Sequence, residues 1–247
     1  MDHATVGIII ALTQVGYGVG LLLLVPLGDL LNRRKLIVSQ LLLSTLAVLV
    51  VGLSSNSFWL LAGMALTGLL AVVAQVLVAL AAHLASPEQR GQVVGLVTSG
   101  IVVGLLLART VSGAMADLAG WRSVYLLSAG LTLVMAILLW RVLPSTEQPR
   151  ATGTYGALLR SVFSLFKEEK VLRDRAVLAM LIFAAGTVLW TPLVLPLSAP
   201  PLSLSHTQIG LFGLAGAAGA LGAARAGRLA DKGFAQWTSG TALLLML

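Results

Sequence analysis

The sequence predicts an all-α membrane protein, a polytopic bundle of transmembrane helices. Hydrophobic residues make up 58% of the 247 residues, with 26 glycines besides. Charged residues reach only 10%, against about 25% in soluble domains. The apolar residues form runs of about 20, the length that a helix needs to cross a bilayer core of ~30 Å. The chain has no cysteine, which excludes disulfides and thiolate metal sites.

About seven complete spans and the start of an eighth are predicted. They run over approximately 5–28, 36–54, 58–83, 92–116, 122–143, 176–198 and 207–226, with the last beginning near 237. Polar segments such as Asn32–Lys35 and Ser86–Arg90 separate these runs and carry residues that begin or end helices. The runs are too long and too uniformly apolar for the strands of a membrane barrel.

The basic residues predict the orientation of the spans. Fourteen of the 16 Lys and Arg residues fall near alternate connections, so the positive-inside rule places residues 29–35, 86–91, 141–175 and 225–236 in the cytoplasm. These residues lie at the ends of apolar spans without interleaved aromatic residues, so we expect them to set topology and not to bind nucleic acid. The first span then starts outside the cell, which predicts that a further segment precedes Met1.

The long connection predicts three regions: an N-terminal bundle (1–143), a cytoplasmic linker (144–175) and an incomplete C-terminal bundle (176–247). Within the linker, residues 158–170 form an amphipathic stretch with Phe163 and Phe166 among its apolar residues. Such a helix lies on the cytoplasmic membrane face or serves as a solvated linker helix. The sequence leaves both interpretations open.

Two similar turns indicate an internal repeat. The first contains Gly28-Asp29 followed by Arg33-Arg34, and the second reads Gly227-Arg228-Leu229-Ala230-Asp231-Lys232-Gly233. Each turn follows a glycine-containing apolar run and precedes another span. Parallel repeats of this kind are typical of secondary transporters.

With these turns the sequence resembles the major facilitator superfamily, whose loop between the second and third helices of each half carries the pattern G-x-L-A-D-R-x-G-R-R. The C-terminal copy fits well, whereas the N-terminal copy keeps Asp29, Arg33 and Arg34 but departs at Val25, Leu30 and Asn32. The segments Pro87–Gly91 and Gly120–Arg122 resemble the turns before the family's fifth and sixth helices.

The resemblance implies family helices two to eight and the start of nine, without the first and the last three helices. It is closest to the bacterial efflux branch, with sugar-efflux and drug–proton antiporter-like members, and implies a multi-pass protein of the bacterial cytoplasmic (inner) membrane. It also implies that the motif aspartates latch the two bundles together, with Asp231 near Gly91; ordinary turn capping is the alternative. The implied gating residues are Asp29, Arg33, Arg34, Gly227, Asp231 and Lys232.

Arg109 is the principal candidate for substrate binding. It lies deep in the fourth predicted span, where a charged group costs ~2.5–3.5 kcal/mol even on the lenient insertion scale. We therefore expect it to face a watery cavity and bind an anionic or hydroxyl-bearing part of the substrate. The alternative is that Arg109 extends to the outer interface or pairs with an acidic residue of another helix.

Other polar residues in the spans are predicted to line the same cavity. On the helical periodicity, Thr98 and Ser112 share the face of Arg109. The remaining candidates lie in other spans: Gln14, Tyr17, Gln75, Thr187, Trp190 and Thr191. Each is also explained by a hydrogen bond between helices.

Glycines are predicted to mediate close helix packing and not to bind a ligand. Two pairs have G-x-x-x-G spacing, and a third group recurs every third residue from Gly210 to Gly222. The residues assigned to packing are Gly16, Gly20, Gly100, Gly104, Gly213, Gly216 and Gly219.

These observations predict a secondary transporter that moves a small organic solute across the lipid bilayer by alternating access, in the direction of efflux. Proton coupling is implied by the resemblance alone, because the family's fourth-helix arginine position is Met64 here and no acidic residue lies within a span except at the helix ends. A truncated remnant that does not transport is the alternative. An enzyme is not expected, since no catalytic acid, base, nucleophile or metal cluster lies in the spans, and no cofactor is predicted.

Overall fold

A computed structural model of the chain describes residues 3–144, 154–211, 229 and 232–244. Within these residues every regular element is a helix, which confirms the all-α prediction. The helices are α1 His3–Leu23, α2 Leu27–Leu30, α3 Arg33–Gly52, α4 Ser57–Leu70, α5 Val73–Leu84, α6 Arg90–Ala119, α7 Trp121–Val142, α8 Tyr155–Glu168, α9 Lys170–Ser198, α10 His206–Leu211 and α11 Ala235–Leu244.

Five helical segments of the described chain are long and apolar enough to cross a membrane. Their most apolar windows have mean hydropathies of 2.0 to 2.3. The segments are Gly7–Leu30, Arg33–Gly52, Ser57–Leu84, Arg90–Ala119 and Trp121–Val142, and they correspond to the first five predicted spans. The sixth predicted span lies inside α9, the seventh begins with α10, and the predicted start near 237 lies in α11.

Asparagine caps explain where two of these spans begin. Asn32 Oδ1 accepts a hydrogen bond from the backbone N–H of Lys35 at 3.1 Å, and Asn56 Oδ1 accepts one from Trp59 at 3.1 Å. A side-chain acceptor at this position satisfies one of the free amides of the first helical turn. The cap at Asn32 starts α3 at Arg33, three residues before the predicted start of the span at 36.

The third predicted span, 58–83, is interrupted. The helix stops after Leu70 and resumes at Val73. The N–H of Ala71 is shared between the carbonyl oxygens of Thr67 at 3.0 Å and Gly68 at 3.2 Å, which tightens the last turn of α4. Val72 is completely buried, so packing holds this short break in place.

The chain divides into two compact units, one of residues 1–72 with 125–205 and one of residues 73–124 with 206–247. In the first unit, α1 and α3 pack against α4, and α3 is the most enclosed span, with 61% of its apolar window buried. In the second unit, α5 and α10 pack against α6. The predicted division into two bundles and a linker stays a prediction.

The amphipathic stretch of the linker forms α8, and none of its residues is buried. Thr154 caps its start, where its hydroxyl oxygen accepts from the N–H of Ala157 at 3.3 Å. The hydroxyl of Tyr155 donates to the carbonyl oxygen of Leu23 at 2.7 Å. The first residue of α8 is therefore held beside the last residue of α1.

Candidate functional site

Arg109 lies in α6 and is half-buried. It is ten residues before the end of this helix at Ala119, which corresponds to about 15 Å along the axis. Thr98 and Ser112 are also half-buried on α6. Thr98 is eleven residues from Arg109, or about 17 Å along the helix, and a cavity that both side chains line stays a prediction.

The backbone at Arg109 forms a close helix contact with α10 in the second unit. A Cβ atom on Gly210 would lie 2.7 Å from the carbonyl oxygen of Arg109, so a larger residue would push the two helices apart. The hydroxyl of the neighbouring Thr110 donates to the carbonyl oxygen of Gly210 at 3.2 Å. One turn further along α6, Gly113 is equally tight against the carbonyl oxygen of His206.

A polar cluster continues this contact at the end of α6. Asp117 Oδ2 accepts two hydrogen bonds from Thr207, one from the backbone N–H at 2.9 Å and one from the hydroxyl at 2.7 Å. His206 Nδ1 lies 3.6 Å from Asp117 Oδ1. Asp117 thus holds the start of α10 and satisfies an amide of its first turn.

The other predicted cavity residues are dispersed. Tyr17 is half-buried, and Gln14 and Gln75 are exposed. Thr187 is exposed, and its hydroxyl donates to the carbonyl oxygen of Phe183 in its own helix at 2.8 Å. The side chains of Trp190 and Thr191 lie outside the described residues. Assignment of these residues to a common cavity stays a prediction.

The N-terminal copy of the loop motif is well defined. Arg33 Nη2 lies 3.0 Å from Asp29 Oδ1, and its Nε donates to the carbonyl oxygen of Gly28 at 2.9 Å. Arg34 stacks on Trp140 with its Cζ 4.5 Å from the ring centroid, and its Nη2 donates to the carbonyl oxygen of the same residue. Asp29 and Arg33 therefore close the turn locally, while Arg34 joins α3 to α7.

The C-terminal copy of the motif lies largely outside the described residues, including Gly227 and Asp231. Lys232 is described and exposed. The predicted latch between Asp231 and Gly91 stays a prediction. Gly213, Gly216 and Gly219 also lie outside the described residues.

The remaining predicted packing glycines fall into two groups. In the first unit, a Cβ on Gly16 would lie 2.5 Å from the carbonyl oxygen of Ala65, and Gly20 is packed as tightly against that of Leu69. By contrast, no atom lies within 4 Å of a Cβ placed on Gly100 or Gly104. The described neighbours therefore leave space on that face of α6.

Two features of the first unit were not predicted from the sequence. The side chain of Gln40 is buried in α3, and neither its amide oxygen nor its amide nitrogen has a hydrogen-bond partner among the described residues. A cavity of about 390 Å³ lies between α3 and α4 and is mainly apolar. It is lined by Leu46, Leu49, Val50, Leu53, Ser54, Ser55 and Trp59, and none of the predicted cavity residues is among them.

No group of three His, Asp or Glu residues in the described ranges could hold a metal ion. The geometry instead consists of tightly crossed apolar helices, a half-buried arginine in one span, and polar contacts at the span ends.

The whole chain, residues 1–247, matches the family model described as Major Facilitator Superfamily. The chain therefore belongs to the Major Facilitator Superfamily, as its loop motifs predicted, and is a multi-pass membrane protein. It is 50% identical over 247 residues to a protein of Escherichia coli O157:H7 named "Uncharacterized transporter YgaY"; the match covers 100% of this chain and 62% of the relative.

More distant relatives carry similar names. A Streptomyces coelicolor protein named "Probable transporter SCO4007" is 32% identical over 223 residues, which cover 90% of this chain and 52% of the relative. A Helicobacter pylori (strain 26695) protein named "Probable sugar efflux transporter" is 25% identical over 160 residues, covering 64% of this chain and 40% of the relative. No solved structure gives a significant match. The chain thus spans less than two thirds of the length of these relatives.

Proposed function

We propose that this chain forms part of a secondary transporter that moves a small organic solute across the bacterial inner membrane by alternating access. The observation that carries the proposal is the family match over residues 1–247. A bundle of transmembrane helices suits this function, because transporters of this kind place their substrate sites near the bilayer midplane between helical repeats. We do not assign it an enzymatic activity.

Arg109 is the residue that we assign to substrate recognition. A guanidinium at this depth is costly in hydrocarbon, so its retention in α6 needs a polar environment or a binding role. Arginine offers several N–H donors in a fixed planar arrangement, which suits carboxylate, phosphate or sugar hydroxyl groups. We therefore assign the substrate to small organic solutes that carry such groups.

Efflux is the direction that we propose, and a proton gradient is the driving force. The name of the Helicobacter pylori relative, "Probable sugar efflux transporter", supports efflux by analogy. Proton coupling follows from the resemblance to drug–proton antiporters. Inverted vesicles with an imposed pH gradient test both points, since efflux appears there as uptake that depends on the acidic lumen.

The proposal is tested by reconstituting the purified chain in proteoliposomes and screening radiolabelled sugars and organic acids. We expect Arg109→Gln to lower the initial rate by at least about tenfold, equivalent to about 1.4 kcal/mol. Arg160→Gln is the matched control, because Arg160 is an exposed arginine of α8, outside the spans. Equal rates for Arg109→Gln and the wild type would refute the role of Arg109. A well-folded chain that transports none of the solutes would favour a remnant without transport activity.

A further inference from the structure

The start of α3 and the end of α7 form a basic cluster in the first unit. Arg33, Arg34 and Lys35 begin α3, and Arg141 follows Trp140 near the end of α7. The direct contact between Arg34 and Trp140 places these two helix ends at the same level. Against these four cations stands the carboxylate of Asp29, which is paired with Arg33.

The two half-buried arginines of this cluster, Arg33 and Arg34, have only part of their hydrogen-bonding capacity satisfied. Arg33 has 15% of its side chain exposed. Its Nε donates to the carbonyl oxygen of Gly28 and its Nη2 to Asp29 Oδ1, but its buried Nη1 has no acceptor among the described residues. Arg34 donates a hydrogen bond from Nη2 to the carbonyl oxygen of Trp140. Its buried Nε likewise has no acceptor among the residues that the structure describes. With four cations against one carboxylate, the cluster retains uncompensated positive charge.

The position of the cluster in the membrane follows from α7. Its 22 residues span about 33 Å, close to the ~30 Å hydrocarbon thickness. An arginine stacks on a tryptophan at each end of this helix, Arg34 on Trp140 and Arg122 on Trp121, both at 4.5 Å. Tryptophan is enriched at membrane interfaces, so Arg34 lies at the level of the phospholipid headgroups.

We propose that this cluster is a binding site for an anionic phospholipid of the cytoplasmic leaflet. The phosphodiester contacts Nη1 of the half-buried Arg34, the guanidinium nitrogen that neither is buried nor donates to Trp140, and the exposed Lys35 and Arg141 add long-range attraction. Guanidinium groups bind phosphate oxygens through paired charge-assisted hydrogen bonds. The acyl chains lie along exposed apolar side chains beside the cluster, Leu31, Leu138 and Val142.

A phospholipid is favoured over a free phosphate because the site combines cations with exposed apolar surface. Trp140 is 48% exposed and Val142 is 75% exposed. Because both side chains are apolar, such exposure suits contact with lipid and not with water. Basic residues at the cytoplasmic membrane surface attract anionic lipids, each adding to the attraction. The site does not depend on transport, so it can be tested separately from the proposed function.

The test is native mass spectrometry of the purified full chain in detergent, titrated with phosphatidylglycerol and phosphatidylcholine of identical acyl chains. We expect one phosphatidylglycerol to be retained with at least about tenfold preference over phosphatidylcholine. Arg34→Gln should reduce this preference to about twofold or less, and Arg34→Lys should retain part of it because the charge remains. Arg122→Gln is the matched control, since it removes the same type of stack at the other end of α7.

Three outcomes would overturn the proposal: equal binding of the two lipids, an equal loss of preference in Arg122→Gln and Arg34→Gln, or displacement of the lipid by millimolar glycerol 1-phosphate. The last outcome would indicate a site for soluble phosphate. Circular dichroism verifies that each variant is helical. If Arg34→Gln fails to fold, the double variant Lys35→Gln/Arg141→Gln replaces it, because both residues are exposed. An unchanged lipid preference in that variant would also refute the site.

Discussion

Gly16 provides the sharpest test of how the helices of the first unit pack. Its backbone crosses α4, and a Cβ atom would lie 2.5 Å from the carbonyl oxygen of Ala65 and 3.1 Å from the backbone nitrogen of Leu69. An ordinary contact requires about 3.5 Å, so Gly16→Ala must move α1 and α4 apart by about 1 Å. Because both neighbouring atoms belong to the backbone, no side chain can rotate away to relieve the contact.

We expect Gly16→Ala to lower the free energy of unfolding by about 1–3 kcal/mol, the range for overpacking of a well-packed interior. Gly18→Ala is the control, since Gly18 is two residues away on the same helix and has no atom within 4 Å of a Cβ. That substitution should be neutral or stabilise by up to about 1 kcal/mol through helix propensity. Unfolding in mixed micelles with increasing dodecyl sulfate, followed by circular dichroism, measures the difference. Equal stabilities for the two variants would refute the crossing of α1 and α4.

Two further substitutions test polar groups that the structure assigns. Gln40→Met should stabilise the chain by about 1–3 kcal/mol, because it removes a buried amide without a described partner at similar volume. Gln14→Met, at an exposed position of the same unit, should change stability by less than about 0.5 kcal/mol. A loss of stability in Gln40→Met would mean that the amide has a partner outside the described residues. Asp117→Ala should lower the unfolding midpoint in the same assay, because both hydrogen bonds from Thr207 lose their acceptor. An unchanged midpoint would contradict the assignment.

Composition and short motifs predicted the helical class, the approximate spans and the family, because each depends on local sequence. Apolar runs identify spans regardless of their neighbours, and a loop motif is readable without knowing its contacts. The break at Ala71 and Val72 was not predictable in this way, since neither residue is a glycine or a proline. It depends on the burial of Val72, which is a property of the packed unit.

The same reason explains what was missed at the candidate sites. Gln40 is preceded by Ser39 and followed by three leucines, so nothing in the local sequence distinguishes it from an exposed or a hydrogen-bonded amide. Trp140 is 106 residues from Arg34, and their contact could be found only once α3 and α7 were placed. Arg109 could be chosen as a candidate because a charge within an apolar run is itself a local signal, and its role stays a prediction.

The close helix contacts at Gly16 and Gly210 are made to the backbone of the neighbouring helix and not to side chains, and this has a consequence for motion. In the first unit Gly16 allows α1 to touch α4, and in the second unit Gly210 allows α10 to touch α6. Lipid supplies no hydrophobic driving force between helices, and a polar contact within a membrane averages only about 0.6 kcal/mol. The bonds from Thr207 to Asp117 and from Thr110 to Gly210 are therefore weak enough to exchange, while the glycine surfaces present few side chains that must be rearranged. Helices joined in this way can shift against each other at low cost, as the proposed alternating access requires.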